Sequence, residues 1–225
     1  MKTLFIKNRK QDILLAILLM LCIISFAVIV TVFCKQLYYF DIDYLSIPAY
    51  SGISKDVIKK NYDILIQYQS IFYQGALNLP DFIMSTTGRI HFEEVKKVFE
   101  IIQVLFVVTL LPSLYMIYQN IKQKEYRFLK LTSIITIFVP TILGLLVSID
   151  FDQAFVLFHQ IVFRNDYWIF DEITDPVITI LPESFFMHCF MMIVMIIIGI
   201  SIILYLIYKY KEKQILSEEG ISYEK

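Results

Sequence analysis

Four long apolar runs, at roughly 13–33, 98–118, 131–149 and 186–208, alternate with polar stretches along the 225-residue chain. A helix needs about 20 mostly apolar residues to cross a bilayer's hydrocarbon core, so each run predicts a transmembrane helix. The expected class is therefore an all-α integral membrane protein with four transmembrane helices in one membrane domain. Pro112 and Pro140 fall inside the second and third runs, where membrane helices tolerate proline as a kink. The first run is too long for the apolar part of a secretory signal, and no small-x-small site precedes "CKQLYYF", so it is read as an uncleaved span. Bulky Phe33 before Cys34 argues against a lipid-attachment box.

Between the runs the pattern changes. In "SKDVIKKNYDILIQYQSIFYQG", Ile58, Tyr62, Leu65, Ile66, Phe72 and Tyr73 recur at helical spacing, which predicts an amphipathic helix ending at Gly75. "NLPDFIMSTTG" reads as a loop punctuated by Pro80 and Gly88. His91 is expected to start a helix that runs into the second span, with His91, Val95, Val98 and Phe99 on one face.

Composition agrees with a membrane class: apolar residues are 58%, charged residues 18%, and mean hydropathy is +0.66. A net charge of −1 gives no basic surface for nucleic acid. Charge placement sets orientation, because Lys and Arg near span ends favour the cytoplasm. Lys2, Lys7, Arg9 and Lys10 precede the first span; Lys122, Lys124, Arg127 and Lys130 fill the 119–130 link; Lys209, Lys211 and Lys213 follow the fourth. Segment 150–184 instead holds Arg164 against Asp150, Asp152, Asp166, Asp171, Glu172, Asp175 and Glu183. Both termini are expected in the cytoplasm, with 34–97 and 150–184 forming an extracellular cap. Cys22, Cys34 and Cys189 show neither disulfide nor zinc spacing.

The outer segments carry the unusual chemistry. His91 and His159 both fall there, and histidine titrates near neutral pH, so the pair is a candidate general base and acid. His188, in "ESFFMHCFMM", is expected to bond to a neighbouring helix. In "FRNDYW" polar groups stand between rings, which suggests a partly dry pocket lined by Phe158, Phe163, Tyr167 and Trp168. Ser85, in the loop before His91, is a candidate nucleophile or lining residue that nothing local activates. Zinc held by the two histidines and a carboxylate is a rival, without HExxH spacing; no GxSxG, CxxC or P-loop occurs. These residues leave open an acid/base enzyme, a metal-assisted membrane hydrolase and a non-enzymatic scaffold.

The blocks "YDILIQYQ", "LPDFIMSTTGRIHFEEVKKVF" and "FHQIVFRNDYWIFDEITDPVITILPESFF", set among four spans, resemble the bacterial lipoprotein intramolecular transacylases (Lit) of Gram-positive organisms. The resemblance implies catalysis by His91 of "GRIHF" and His159 of "FHQIVF", with no metal and no other cofactor. It implies a diacylglyceryl lipoprotein as substrate, bound from the lipid bilayer at the extracellular face of the cytoplasmic membrane by a monomer. The sn-2 acyl chain would pass to the α-amine of the lipoprotein's N-terminal cysteine, leaving a lyso-form product. Ester and amine then belong to one molecule, so no acyl-enzyme is required. His91 is assigned as base and His159 as acid or oxyanion donor, the sequence being equally compatible with the reverse; for the same transfer Arg164 and Asn165 are candidate oxyanion donors and Asp166 a candidate orienter of His159.

Overall fold

The structure, a computed structural model, describes residues 9–218; Lys2 and Lys7 of the charge argument lie outside them. The described residues form eight α-helices and one 3-10 helix: α1 (Arg9–Phe33), α2 (Lys35–Tyr44), α3 (Ile47–Ser51), α4 (Lys55–Tyr68), α5 (Thr86–Lys122), α6 (Arg127–Ile149), α7 (Phe151–Val162), a 3-10 helix (Pro176–Ile180) and α8 (Glu183–Glu218). Among them, Lys10–Phe33, Thr86–Lys122 and Glu183–Glu218 are long and apolar enough to cross a membrane. The third expected crossing, 131–149, falls within α6. Pro112 and Pro140 are accommodated inside α5 and α6.

The chain divides into two compact units, one made of Met1–Ala27, Leu105–Gly144 and Val194–Lys225, the other of Val28–Val104 and Leu145–Ile193. In the first, Leu15, Phe128 and Leu129 are buried with Leu19, Met116 and Tyr208 packed against them. The second contains the histidines and a larger core. There the rings of Tyr38 and Tyr62 stack at 3.7 Å, and Phe185 meets both edge-on. Full burial of each such ring contributes about 2–3 kcal/mol, and Tyr38 keeps its hydroxyl satisfied by donating to Ile180 O at 2.5 Å.

α4 follows its amphipathic pattern, burying Ile58, Asn61, Tyr62, Leu65, Ile66 and Tyr68. It stops at Tyr68 and does not continue to Gly75 as its periodicity predicted. The reason lies in α5, whose polar side chains take the carbonyls at that helix end. Lys96 Nζ donates to Tyr68 O and Ser70 O at 2.7 and 2.9 Å, and Gln103 Nε2 donates to Gln69 O at 2.9 Å. Phe72, assigned to the apolar face by spacing, is 87% exposed.

α5 begins at Thr86, five positions before His91 was expected to open it. Its start is capped by Ser85, whose Oγ accepts from Gly88 N at 2.9 Å. Ser85 N donates in turn to Asp175 Oδ1 at 2.8 Å. A Cβ at Gly88 would stand 2.2 Å from that carboxylate oxygen, so only glycine lets Asp175 approach the first turn. Asp175, buried at the mouth of the 3-10 helix, thereby fixes where α5 starts, one turn before His91.

Candidate active site

Helical geometry brings the two histidines to one place from separate helices. His91 sits in the second turn of α5, and His159 in the last turn of α7. Asp150 caps α7, accepting from Gln153 N at 3.0 Å, which sets the register that turns His159 inward. The ring centroids lie 5.9 Å apart, with the planes inclined by 36°. Both side chains are buried: His91 is 6% exposed and His159 8%.

The walls are aromatic. Phe163 lies 4.7 Å from His91, edge to face, and 5.5 Å from His159. Phe170 meets His91 at 5.4 Å. Phe155 and Trp168 lie 4.2 and 4.7 Å from His159, and Phe158, half-exposed, reaches it at 5.4 Å. Phe155 and Phe170 join the lining expected from sequence, and Phe155, four residues before His159 on a helix, shares its face.

This cage sets the charge state of the pair. Burial pushes the His91 imidazole down to about 4, with the neighbouring His159 a second cause. Burial also lowers His159, opposed by its hydrogen bond to Phe155 O. Desolvation disfavours the cationic imidazole, so both rings are neutral at pH 7. His159 Nδ1 is 2.7 Å from Phe155 O. A carbonyl only accepts, so Nδ1 carries the proton and Nε2 is left with a lone pair. His91 Nδ1 is buried without a hydrogen-bond partner, an arrangement costing about 1–3 kcal/mol.

The other candidates separate. Ser85 serves as the α5 cap, its Oγ engaged by Gly88 N and Thr87 Oγ1. Arg164 and Asp166 are exposed, and His159 takes its orienting bond from the Phe155 carbonyl and not from Asp166. Asn165 spends its amide on Glu94, at 3.0 and 3.2 Å from the two carboxylate oxygens, and on Phe163 O at 3.1 Å. Tyr167 is 39% exposed, and its backbone N–H donates to Asn165 Oδ1. His188 bonds to buried Asp41 through Nδ1 at 2.8 Å, the helix-to-helix bond expected of it. No three His, Cys, Asp or Glu side chains among the described residues are grouped to hold a metal ion.

A family model described as "Lipoprotein intramolecular transacylase Lit" matches residues 13–186. Among solved structures, the membrane integral lipoprotein intramolecular transacylase Lit from Bacillus cereus is 43% identical, with a TM-score of 0.90, covering 92% of this chain and 96% of its own. Two further structures of that protein match at 42% identity. One, with a histidine replaced by arginine, has a TM-score of 0.86 and covers 94% of each chain. The other, with a histidine replaced by alanine, has a TM-score of 0.84 and covers 92% of this chain and 94% of that one. No curated protein sequence matches the chain.

Proposed function

The chain belongs to the lipoprotein intramolecular transacylase family, and from that membership we propose that it moves the sn-2 acyl chain of an S-diacylglyceryl lipoprotein onto the α-amine of the N-terminal cysteine. The observation that carries this reading is the pair of buried, neutral imidazoles 5.9 Å apart in an aromatic cage. A four-span topology, with the site on the outer face of the cytoplasmic membrane, follows from the placement of Lys and Arg.

The amine nitrogen attacks the sn-2 carbonyl carbon. A free α-amine has a pKa of about 7.7–8.0, and the attacking nitrogen must lose a proton on the way to amide. His159 Nε2, left as an acceptor by the Nδ1 bond to Phe155 O, receives it. This reverses the roles assigned from sequence: His159 is the base, and His91 hydrogen-bonds the developing oxyanion or the departing oxygen. As the tetrahedral centre collapses, the ester C–O bond breaks. The sn-2 oxygen leaves as an alcohol with the proton taken from nitrogen, and the N–C amide bond remains. Both reacting groups belong to one substrate, so confinement by the aromatic walls acts on orientation, which is worth up to roughly 7–11 kcal/mol when alignment is good.

Total mass is unchanged by the shift, so the test is positional. Two synthetic S-diacylglyceryl lipopeptides of different sequence, one carrying a deuterated sn-2 chain, are incubated together with the purified enzyme. The reading expects fragment ions that place the acyl chain on the cysteine nitrogen, with the label confined to its original peptide. Label appearing on the other peptide, or released fatty acid in place of amide, would overturn it.

A further inference from the structure

The segment after α7 folds back on itself. Phe163 N donates to His159 O at 2.9 Å, Arg164 adopts a left-handed conformation at φ 56°, and Ile169 N donates to Asp166 O at 3.1 Å. A non-glycine residue in that region reverses the chain at a cost of about 1–2 kcal/mol, so other contacts must hold the reversal. Asn165 supplies them in three directions. Its Oδ1 accepts from Tyr167 N at 3.1 Å, its backbone oxygen accepts from Trp168 Nε1 at 2.9 Å, and its amide reaches across to both oxygens of Glu94. The amide orientation is set by its surroundings, since Oδ1 meets a backbone N–H and Nδ2 meets only acceptors.

Glu94 stands three residues after His91 on α5, which places both on one side of the helix. The α5 face that carries one histidine thus also grips the turn covering the other. Trp168 is held at its indole N–H by Asn165 and lies 4.7 Å from the His159 ring, inclined by 32°.

The geometry points to Glu94 and Asn165 as a clasp that positions Trp168 and Phe163 against the histidine pair, making both positioning residues of the transacylation site. This rests on the reading of His91 and His159 as the catalytic pair. The clasp holds the cage closed while the imidazoles exchange protons with the substrate, and it explains why an amide and a carboxylate are spent beside a dry site without touching either imidazole.

Trp168 is the chain's one tryptophan, so its emission reports the clasp without any turnover. A protonated imidazole quenches an adjacent indole, so the wild-type emission falls as pH drops through the His159 titration. Asn165→Asp sets a carboxylate against Glu94. It is expected to lower kcat at least tenfold with KM within about twofold, to shift Trp168 emission to the red and to weaken the pH-dependent quench. The double variant Glu94→Gln/Asn165→Asp, in which amide and carboxylate change places, is expected to recover both kcat and emission. Wild-type emission and kcat in Asn165→Asp would overturn the clasp, and so would failure of the swapped pair to recover either in a protein of native helicity. The emission arm stands even if the histidines prove non-catalytic, so loss of that reading and loss of the clasp are told apart.

Discussion

The imidazoles of His91 on α5 and His159 on α7 lie 5.9 Å apart, centroid to centroid, within a single aromatic cage. Burial keeps them neutral, and this links the site to stability. The folded His91 takes a proton only near pH 4, whereas the unfolded chain takes it near 6.5. Between those values the unfolded state binds more protons, so stability is full above about pH 6.5 and falls as pH drops toward 4. For His91 the loss is on the order of 3 kcal/mol, and lowered His159 adds in the same direction. Melting temperature in detergent, measured between pH 7 and 4, should decline steeply for wild type. It should decline less for His91→Phe, which keeps the cage filled and removes the titration; equal slopes would refute the assignment.

Gly88 should tolerate no side chain. Gly88→Ala puts a methyl group 2.2 Å from Asp175 Oδ1, and either the carboxylate or the first turn of α5 must move. The expected loss is about 2–4 kcal/mol, together with reduced transacylation because His91 follows one turn later. Gly88→Ala/Asp175→Ser, which shortens the opposing side chain, should regain part of the melting temperature. A Gly88→Ala protein as stable as wild type would show that Asp175 does not set the start of α5.

Asp41 and His188 form a second histidine contact, and it is expected to serve packing alone. Asp41 is fully buried, with Oδ1 on His188 Nδ1 and Oδ2 without a partner. Removing one member leaves the other without its hydrogen bond, so Asp41→Ala or His188→Ala should each cost about 1–3 kcal/mol. Asp41→Leu/His188→Leu should recover most of that loss. Turnover in His188→Gln, measured as N-acylated product, should stay within about threefold of wild type. A drop of a hundredfold would bring His188 into the chemistry.

Hydropathy made the long helices legible, and the short apolar spacing of α4 was legible up to Tyr68. The end of α4 was not, because it is decided by Lys96 and Gln103 reaching from another helix, and no local signal reports a distant donor. The histidine pair was visible as two polar residues in unusual surroundings and through the family motifs. The function of their polar neighbours was not visible. Ser85, Arg164, Asn165 and Asp166 have side chains suited to catalysis, yet Ser85 went to a helix cap and Asn165 to Glu94 because backbone and carboxylate partners lay closer. Residue type shows what a side chain can do, and the tertiary partner decides what it does.

The most direct measurement is positional product analysis by fragment-ion mass spectrometry for wild type, His91→Ala and His159→Ala, each purified, correctly inserted and of native helicity. Wild type should convert diacylglyceryl lipopeptide to the N-acyl, S-monoacylglyceryl form, and each substitution should lower that rate by at least a hundredfold. N-acylated lyso product at an undiminished rate from either variant would contradict the paired-histidine account.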